Sequence, residues 1–469
     1  MNLFRLFYKW SQSHPARAAV LAGWYQQGCT TLGAIIAIPF ILKLLGRSDA
    51  GLWFSLQGLL TILGLADFGF SSAVIRQAAY SLRFDSTKPA AGGQDLIETR
   101  PGWAGISELY ASSRVLFWGV TGVAGLLMIL LYEAVLPFTK LIEVRSLHTA
   151  LVWYAVGGSI LLNLQTALSR SFLDGIGYMF LGRFISGTYA LVWNIASVAA
   201  LLVAPDLFSM AMAVLGVSVV QFAAMHLALS RLAGREIDFT VPASKLLVRS
   251  LWKVSLPFGV VNSAVYLVGA IQIPLLGSIL GPIAVAPYYL AARISQTLGT
   301  AVQQITVTQL PHFTQQLAAG ECEAAKNRMA RTIRIGFTLY LLASIFLYFV
   351  SPSLVRLWVG PGQYVGKTVL ILLTANMLIA GLAAIPSHFV LAAGSNPFAL
   401  SMVIQGLLTV IGTVLLCPRI GVLGVPLSAL LAGTCTNYWY NPLKAWQLWT
   451  RIETELPTDV AAIVIEKDG

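Results

Sequence analysis

The chain has 469 residues, of which 57% are hydrophobic and only 10% charged, and its mean hydropathy is +0.76. About a quarter of the residues in a soluble globular domain are charged, so this composition excludes a soluble protein and predicts one embedded in lipid. The net charge of +11 could suggest nucleic-acid binding. However, the basic residues stand almost entirely between apolar segments, where they indicate membrane orientation instead.

Twelve segments are long and apolar enough to cross a hydrocarbon layer of about 30 Å, which takes about 20 helical residues. The first six lie near 20–45, 52–75, 115–136, 150–168, 178–203 and 207–230. The other six lie near 254–280, 283–310, 335–357, 369–393, 398–416 and 422–446. The sequence therefore predicts an all-α polytopic membrane protein with about 12 transmembrane helices. The first apolar run is too long for a signal peptide and is expected to remain as a membrane helix.

The basic residues are distributed unevenly over the connections between these segments. Alternate connections, beginning with the N-terminal tail, carry 22 lysines and arginines, whereas the others carry 7. Basic residues are enriched in cytoplasmic connections, so both termini are expected in the cytoplasm. The longest cytoplasmic connection is predicted over 76–114. The connections on the other side are too short to hold a domain.

The stretch Ile36 to Gly64 is repeated 235 positions later, with seven identities in 29 positions. The identities include the pairs Pro39/Pro274, Gly46/Gly281 and Gly64/Gly299. We interpret this as an internal duplication. Six segments separate the copies, so the repeats run in the same direction through the membrane, an arrangement found in transporters. The predicted domains are a six-helix lobe over 1–231, a cytoplasmic connection over 232–253, and a second six-helix lobe with a short tail over 254–469.

Two charged residues fall inside predicted membrane segments, where a charge costs about 2.5 to 3.5 kcal/mol on insertion scales. Arg293 is expected near the membrane midplane and Asp67 in the inner third. Neither charge is present at the equivalent position of the other repeat, since Gly58 matches Arg293 and Val302 matches Asp67. This asymmetry favours a functional role for both residues over a role in the common scaffold.

Polar residues at helical spacing predict stripes that line a central cavity. An equally weighted alternative is that these neutral side chains bond between packed helices. Pro39 and Pro274 are predicted to kink paired helices and to act as hinges. His226 and His388 are expected to be packing residues, and the four cysteines are too scattered for a metal site. The predicted lining residues are Gln296, Thr300, Gln303, Asn262, Tyr266, Gln272, Gln26, Thr30, Gln57 and Thr61.

Three stretches resemble a known family. The segment GLWFSLQGLLTILGLADFGFSSAVIR (51–76) is similar to the Wzx-type polysaccharide flippases of the MOP superfamily. PYYLAARISQTLG (287–299), continuing to QLPHF (309–313), resembles the start of their C-terminal lobe, and GVLGVPLSALLAG (421–433) is also similar. The 76–114 connection is longer than the family's.

The resemblance implies movement of undecaprenyl-diphosphate-linked oligosaccharide from the cytoplasmic to the outer leaflet of the bacterial inner membrane, for surface polysaccharide assembly such as that of O-antigen. The partners it implies are this lipid-linked substrate, membrane lipids and polysaccharide assembly proteins, with no nucleic acid. Given this substrate, Arg293 is the candidate for the diphosphate because a guanidinium binds phosphate through paired hydrogen bonds. Asp67 is the candidate for proton or sodium coupling. No catalytic residue, metal or organic cofactor is expected.

The sequence also leaves two alternative functions open. A MATE-like multidrug or organic-cation antiporter of the same superfamily would suit Asp67 but not Arg293. A multispanning polysaccharide polymerase would be expected to carry a large external loop with catalytic residues. No external connection of the predicted topology is large enough for such a loop.

Overall fold

The computed structural model describes residues 15–83, 102–141, 147–234, 236–393 and 396–454, and these residues form helices without any β-strand. The first seven α-helices are α1 (Pro15–Leu44), α2 (Gly46–Gly64), α3 (Phe70–Arg83), α4 (Gly102–Leu130), α5 (Leu147–Gly175), α6 (Met179–Val203) and α7 (Leu207–Ala233). The other eight are α8 (Lys245–Val268), α9 (Gln272–Leu280), α10 (Val285–Ala318), α11 (Cys322–Trp358), α12 (Lys367–Ala392), α13 (Ala399–Ile420), α14 (Gly424–Cys435) and α15 (Asn437–Thr454). The all-α prediction is confirmed.

Nine helical stretches in these described ranges are long and apolar enough to cross a membrane, and a bent pair within α8 brings the number to ten. Two features account for the difference between these ten stretches and the predicted twelve. Helix α10 has 34 residues but is not among the apolar stretches because it carries many polar side chains. Helices α13 to α15 form one stretch, Ala399–Arg451, where the sequence predicts two segments. The polytopic membrane fold is nevertheless evident.

The chain divides into two compact units, Met1–Asn262 and Ser263–Gly469. The division falls within α8, on the C-terminal side of the basic connection 232–253. Each unit has its own aromatic core. In the first unit Tyr110 of α4 packs edge-on against Phe172 of α5, with ring centroids 5.1 Å apart. In the second, Phe313 of α10 packs edge-on against Phe389 of α12 at 4.9 Å.

Many large apolar side chains point outward from both units. Trp118 and Leu126 of α4 are 60% and 64% exposed, and Phe349 of α11 is 70% exposed. In a soluble protein, contiguous exposed apolar surface of this kind would promote aggregation. On helices of membrane-spanning length it is the surface that contacts lipid.

The segment predicted over 52–75 is not one continuous helix. Helix α2 ends at Gly64, a 3₁₀ turn covers Leu65–Asp67, and α3 begins at Phe70. Phe68, with φ of 41°, is the single non-glycine residue with positive φ among the described residues, and Gly69 follows with φ of 77°. Left-handed backbone cannot continue an α-helix, so the chain changes direction at this point.

The segment predicted over 254–280 is also interrupted. Helix α8 ends at Val268 and α9 begins at Gln272. Pro274 lies in the first turn of α9, where a proline does not break backbone hydrogen bonds, whereas its repeat partner Pro39 lies inside the continuous helix α1. The two prolines therefore occupy different local structures.

The glycines of the repeat behave more alike. Gly46 is the first residue of α2 and has φ of 74°, and Gly281 follows the last residue of α9 with φ of 87°. At both positions only glycine adopts the backbone conformation without strain. Equivalent positions of the two repeats thus make the same kind of helix junction.

The connection predicted over 76–114 is shorter than expected. Helix α3 continues to Arg83 and α4 begins at Gly102, so most of the predicted loop is helical. The remaining 84–101 lies outside the described residues. The helical extension is explained by apolar side chains such as Ala78 and Ile106, which are fully buried and extend the core beyond the apolar segments.

Candidate functional site

Asp67 occupies the helix break in the first unit. Its Oδ1 atom accepts a hydrogen bond from the Ser71 backbone N–H at 3.2 Å and another from the Ser71 hydroxyl at 2.8 Å. The carboxylate therefore satisfies a free N–H group at the start of α3. The positive end of the helix dipole also favours a negative charge there.

Two glycines allow this break to pack against α8. A Cβ atom at Gly69 would lie 2.5 Å from Cβ of Phe258, and one at Gly259 would lie 2.1 Å from Cδ1 of Phe68. Neither distance is possible for real atoms without movement, so both glycines are needed for the observed contact. The Phe68 ring also packs against Trp252 of α8, with centroids 5.9 Å apart. These contacts fix the turn that positions Asp67.

Asp67 lines a cavity of about 300 Å³ in the first unit. The walls come from the break between α2 and α3, from α5, and from single residues of α6 and α7. Arg170 of α5 contributes the positive charge of the lining. The lining residues are Gly64, Asp67, Ser71, Ile160, Asn163, Leu164, Thr166, Ala167, Arg170, Ser186 and Gln221.

Four charged groups interact in this region. The guanidinium groups of Arg170 and Arg183 act electrostatically on Asp174 at the end of α5, and Arg170 also acts on Asp67. Gly182 of α6 makes room for them, because a Cβ atom there would lie 2.9 Å from Oδ1 of Asp174 and 3.4 Å from Cγ of Arg170. The same Oδ1 is buried and has no hydrogen-bond partner among the described residues. A buried acceptor of this kind favours binding of a proton or cation.

Sequence reasoning identifies Asp67 but misses the other three members of this group. The predicted segments end near 168 and restart near 178, which places Arg170 and Asp174 in a cytoplasmic connection. The spacing of these two residues, four positions apart, is typical of an ion pair on one helical face. This spacing is the signal that could have indicated a helix continuing to Gly175.

The second unit contains Arg293 on α10. Arg293 is partly exposed, and its guanidinium forms no hydrogen bond or ion pair with any described residue, although its charge acts on Tyr289 one turn earlier. Gln296 is exposed on the same helix, and Thr300 donates its hydroxyl to the Gln296 carbonyl at 2.8 Å. Arg293, Gln296 and Thr300 therefore share one accessible polar face of α10.

Other predicted lining residues of the second unit make internal contacts. The side chain of Gln303 lies 2.8 Å from Nε2 of His388 on α12. Gln272 accepts a hydrogen bond from the Tyr288 hydroxyl at 3.0 Å. Tyr266 is only 4% exposed. Gln303 and Gln272 therefore connect helices within the unit.

The predicted lining residues of the first unit are more accessible. Asn262 and Thr61 are exposed, and Gln26, Thr30 and Gln57 are partly buried. The hydroxyls of the two threonines donate to backbone carbonyls one turn earlier, from Thr30 to Gln26 at 2.9 Å and from Thr61 to Gln57 at 2.6 Å. None of these five residues lines the cavity that contains Asp67.

No group of three or more histidine, cysteine or acidic side chains that could hold a metal ion occurs in the described ranges.

Comparison with solved structures identifies the architecture. An inward-facing multidrug-resistance MATE-family transporter of the MOP superfamily superposes with a TM-score of 0.69 and 12% sequence identity, over 93% of this chain and all of that chain. The lipid II flippase MurJ in an inward closed conformation gives a TM-score of 0.59 and 13% identity, over 94% of both chains. The chain has the fold of MOP-superfamily transporters.

A second MATE protein of this fold, a mutant of the Vibrio cholerae transporter VcmN, gives a TM-score of 0.61 and 15% identity, over 94% of this chain and 98% of that chain. No protein-family model matches the sequence, and no curated protein matches it. The similarity to these solved structures, at sequence identities of 12 to 15%, therefore shows the fold of the chain.

Proposed function

We propose that this protein is a MOP-superfamily transporter that moves an oligosaccharide linked through a diphosphate to an isoprenoid lipid across the bacterial inner membrane. The proposal depends on one observation. The guanidinium of Arg293 has no hydrogen-bond or ion-pair partner among the described residues. It lies on the accessible polar face of α10, a helix long enough to cross the membrane but too polar to face lipid along its whole length. A fold shared with a lipid II flippase supports the same conclusion.

The chemistry of Arg293 suits a diphosphate. A guanidinium presents five N–H donors in a fixed planar arrangement that matches two phosphate oxygens at once. Arg293 is eight residues from the start of α10, about 12 Å along the helix axis at 1.5 Å per residue. A charge at this depth costs free energy unless it binds an opposite charge. A diphosphate passing through the protein would supply that charge.

Asp67 and its cavity supply a site for coupling to an ion. The carboxylate lies at a helix break, interacts with Arg170 and lines a cavity large enough for water. Membrane transporters commonly use discontinuous helices of this kind for coupling ions. We infer that Asp67 binds and releases a proton or a sodium ion during the transport cycle.

The experiment measures transbilayer movement of an isoprenoid-diphosphate oligosaccharide in proteoliposomes, at equal reconstitution of each variant. We expect Arg293→Ala to lower the rate at least tenfold, and Arg293→Lys to recover part of it, because an ammonium keeps the charge but not the planar pair of donors. The matched control is Arg419→Ala, which removes an exposed arginine of α13. It is expected to stay within twofold of the intact protein. Equal rates for Arg293→Ala and the intact protein would contradict the assignment.

The charged cavity favours a second candidate function, cation-coupled export of organic cations. Asp67 lines the cavity and would attract a cationic substrate, and several MATE transporters share the fold. The same proteoliposomes distinguish the two functions. Efflux of an organic cation driven by a pH gradient, with no movement of the lipid-linked oligosaccharide, would replace the flippase proposal with the antiporter.

The proposed orientation places both termini in the cytoplasm, as the distribution of basic residues predicts. Single cysteines introduced at Arg83 and at Thr149 should then react from opposite sides of the membrane with a reagent that does not cross it.

Contacts with polysaccharide assembly proteins follow from the same proposal, and cross-linking in cells that make surface polysaccharide would detect them.

A further inference from the structure

A second cavity lies in the second unit, between α10 and α11 near the turn that joins them. Its volume is about 420 Å³, within the range of small-molecule sites. Two arginines line it and no acidic residue does. The lining residues are Ile305, Gln309, Ala324, Asn327, Arg328, Arg331, Thr332 and Ile335.

Arg328 is held in place by two glutamines of α10. Its Nε–H donates to Oε1 of Gln316 at 2.7 Å, and its Nη1 donates to Oε1 of Gln309 at 3.0 Å. A guanidinium has five N–H donors, so these two bonds fix the plane of Arg328 and leave other donors for a ligand. The glutamines are neutral, and the positive charge is therefore not cancelled by its partners.

Arg331 adds a second positive charge one turn further along α11. It is exposed, and within the described ranges its side chain has no hydrogen-bond or ion-pair partner. Asn327, also exposed, contributes an amide to the same cavity. Two guanidinium groups and an amide directed at one cavity form a site for an anionic oxygen group such as a phosphate.

Part of the cavity wall is apolar and open to the surroundings of the protein. Ile305 and Ile335 line the cavity and are 42% and 41% exposed. On α11 the exposed apolar surface continues at Leu342, which lies seven residues after Ile335 on the same helical face and is 56% exposed. A free anion would gain nothing from these walls. An amphiphile with an anionic headgroup and acyl chains would bury them.

We propose that this cavity binds the phosphodiester headgroup of an anionic membrane phospholipid, with the acyl chains lying along Ile305 and Ile335. Arg328 and Arg331 contact the phosphate oxygens, and Asn327 contacts the headgroup. Basic pockets between transmembrane helices bind anionic lipid headgroups in this way. The site is separate from Arg293 and does not depend on the transported substrate.

The test measures lipid binding to the purified, delipidated full-length protein in neutral detergent by native mass spectrometry. The probes are dioleoylphosphatidylglycerol, dioleoylphosphatidylcholine and inorganic phosphate. We expect the protein to bind the phosphatidylglycerol at least tenfold more tightly than the phosphatidylcholine. Arg331→Gln should lower affinity for phosphatidylglycerol at least fivefold, and the double variant with Arg328→Gln should remove the preference.

The matched control is Arg334→Gln, which removes the same charge from an exposed position of α11 that does not line the cavity. It should keep affinity for phosphatidylglycerol within twofold. An equal loss in Arg334→Gln and Arg331→Gln would show a diffuse basic surface and overturn the proposal. Equal binding of the two lipids would also overturn the proposal. Displacement of phosphatidylglycerol by millimolar inorganic phosphate would overturn it as well. If the double variant does not fold, Arg331→Gln, at an exposed position, decides the question alone.

Discussion

The hydroxyl of Ser71 lies 2.8 Å from Oδ1 of Asp67, so the carboxylate at the helix break is held by the first turn of the helix that follows it. This contact positions the carboxylate that we propose binds a coupling proton or sodium ion. Substitutions at the two residues can therefore distinguish the role of the carboxylate from that of the hydroxyl.

Asp67→Asn should remove the response of transport to an ion gradient while leaving the fold intact, because the amide keeps the shape but cannot carry the charge. Ser71→Ala should keep the response, since the Ser71 backbone N–H still donates to Oδ1 at 3.2 Å. The measurement is the transport rate in proteoliposomes with and without pH and sodium gradients. Asp49→Asn, at an exposed position of α2, is the control. An unchanged gradient response in Asp67→Asn would exclude Asp67 as the coupling residue.

Gly182→Ala should disturb the charged group and lower the free energy of unfolding by about 1 to 3 kcal/mol, the usual cost of adding volume to a packed site. The added Cβ would lie 2.9 Å from Oδ1 of Asp174. Gly216→Ala on α7 is the matched control, because nothing lies within 4 Å of its added Cβ, and alanine there should stabilise the helix slightly. Thermal unfolding in detergent measures both. Equal melting temperatures for the two variants would argue against the close contact at Gly182.

Gln303→Ala should destabilise the second unit by about 0.6 kcal/mol, the average value of a polar contact between membrane helices. It removes the partner that lies 2.8 Å from Nε2 of His388. Gln304→Ala changes the neighbouring exposed residue and should have no effect on unfolding. If Gln303→Ala instead abolished transport without changing stability, Gln303 would be a substrate contact rather than a packing residue.

Gly46→Ala and Gly281→Ala should each cost about 1 to 2 kcal/mol through backbone strain alone. Both glycines have positive φ, and neither has an atom within 4 Å of an added Cβ. Gly119→Ala on α4 is equally unobstructed and has no positive φ, so it should be neutral or slightly stabilising. Similar stability of all three variants would show that the two junctions tolerate an alanine backbone.

The positions of most helices could be predicted because long apolar segments have few alternatives to a membrane helix. The breaks could not, since an interruption of three to five residues leaves the average apolarity of a segment unchanged. The break at Leu65–Gly69 packs against Phe258 and Gly259, which are distant in sequence. The sequence of the segment alone does not show this contact.

The break between α8 and α9 also interrupts the helical periodicity from which one polar stripe was predicted. Counting residues along a single helix puts Tyr266 and Gln272 in one polar stripe with Asn262. The chain leaves the helix at Val268 and re-enters it at Gln272, so the count loses its phase between them. Arg293, Gln296, Thr300 and Gln303 share one uninterrupted helix, so the count keeps its phase along α10.

The charged group around Asp67 has a consequence for the energy source of transport. Its described members are two carboxylates, Asp67 and Asp174, and two guanidinium groups, Arg170 and Arg183, so a bound proton changes their sum from zero to one positive charge. Moving one charge across the whole membrane is worth about 2.3 kcal/mol per 100 mV. An ion carried on Asp67 would therefore make the cycle sensitive to the membrane potential as well as to concentration. A potassium diffusion potential imposed at constant pH should then affect the rate differently in the intact protein and in Asp67→Asn.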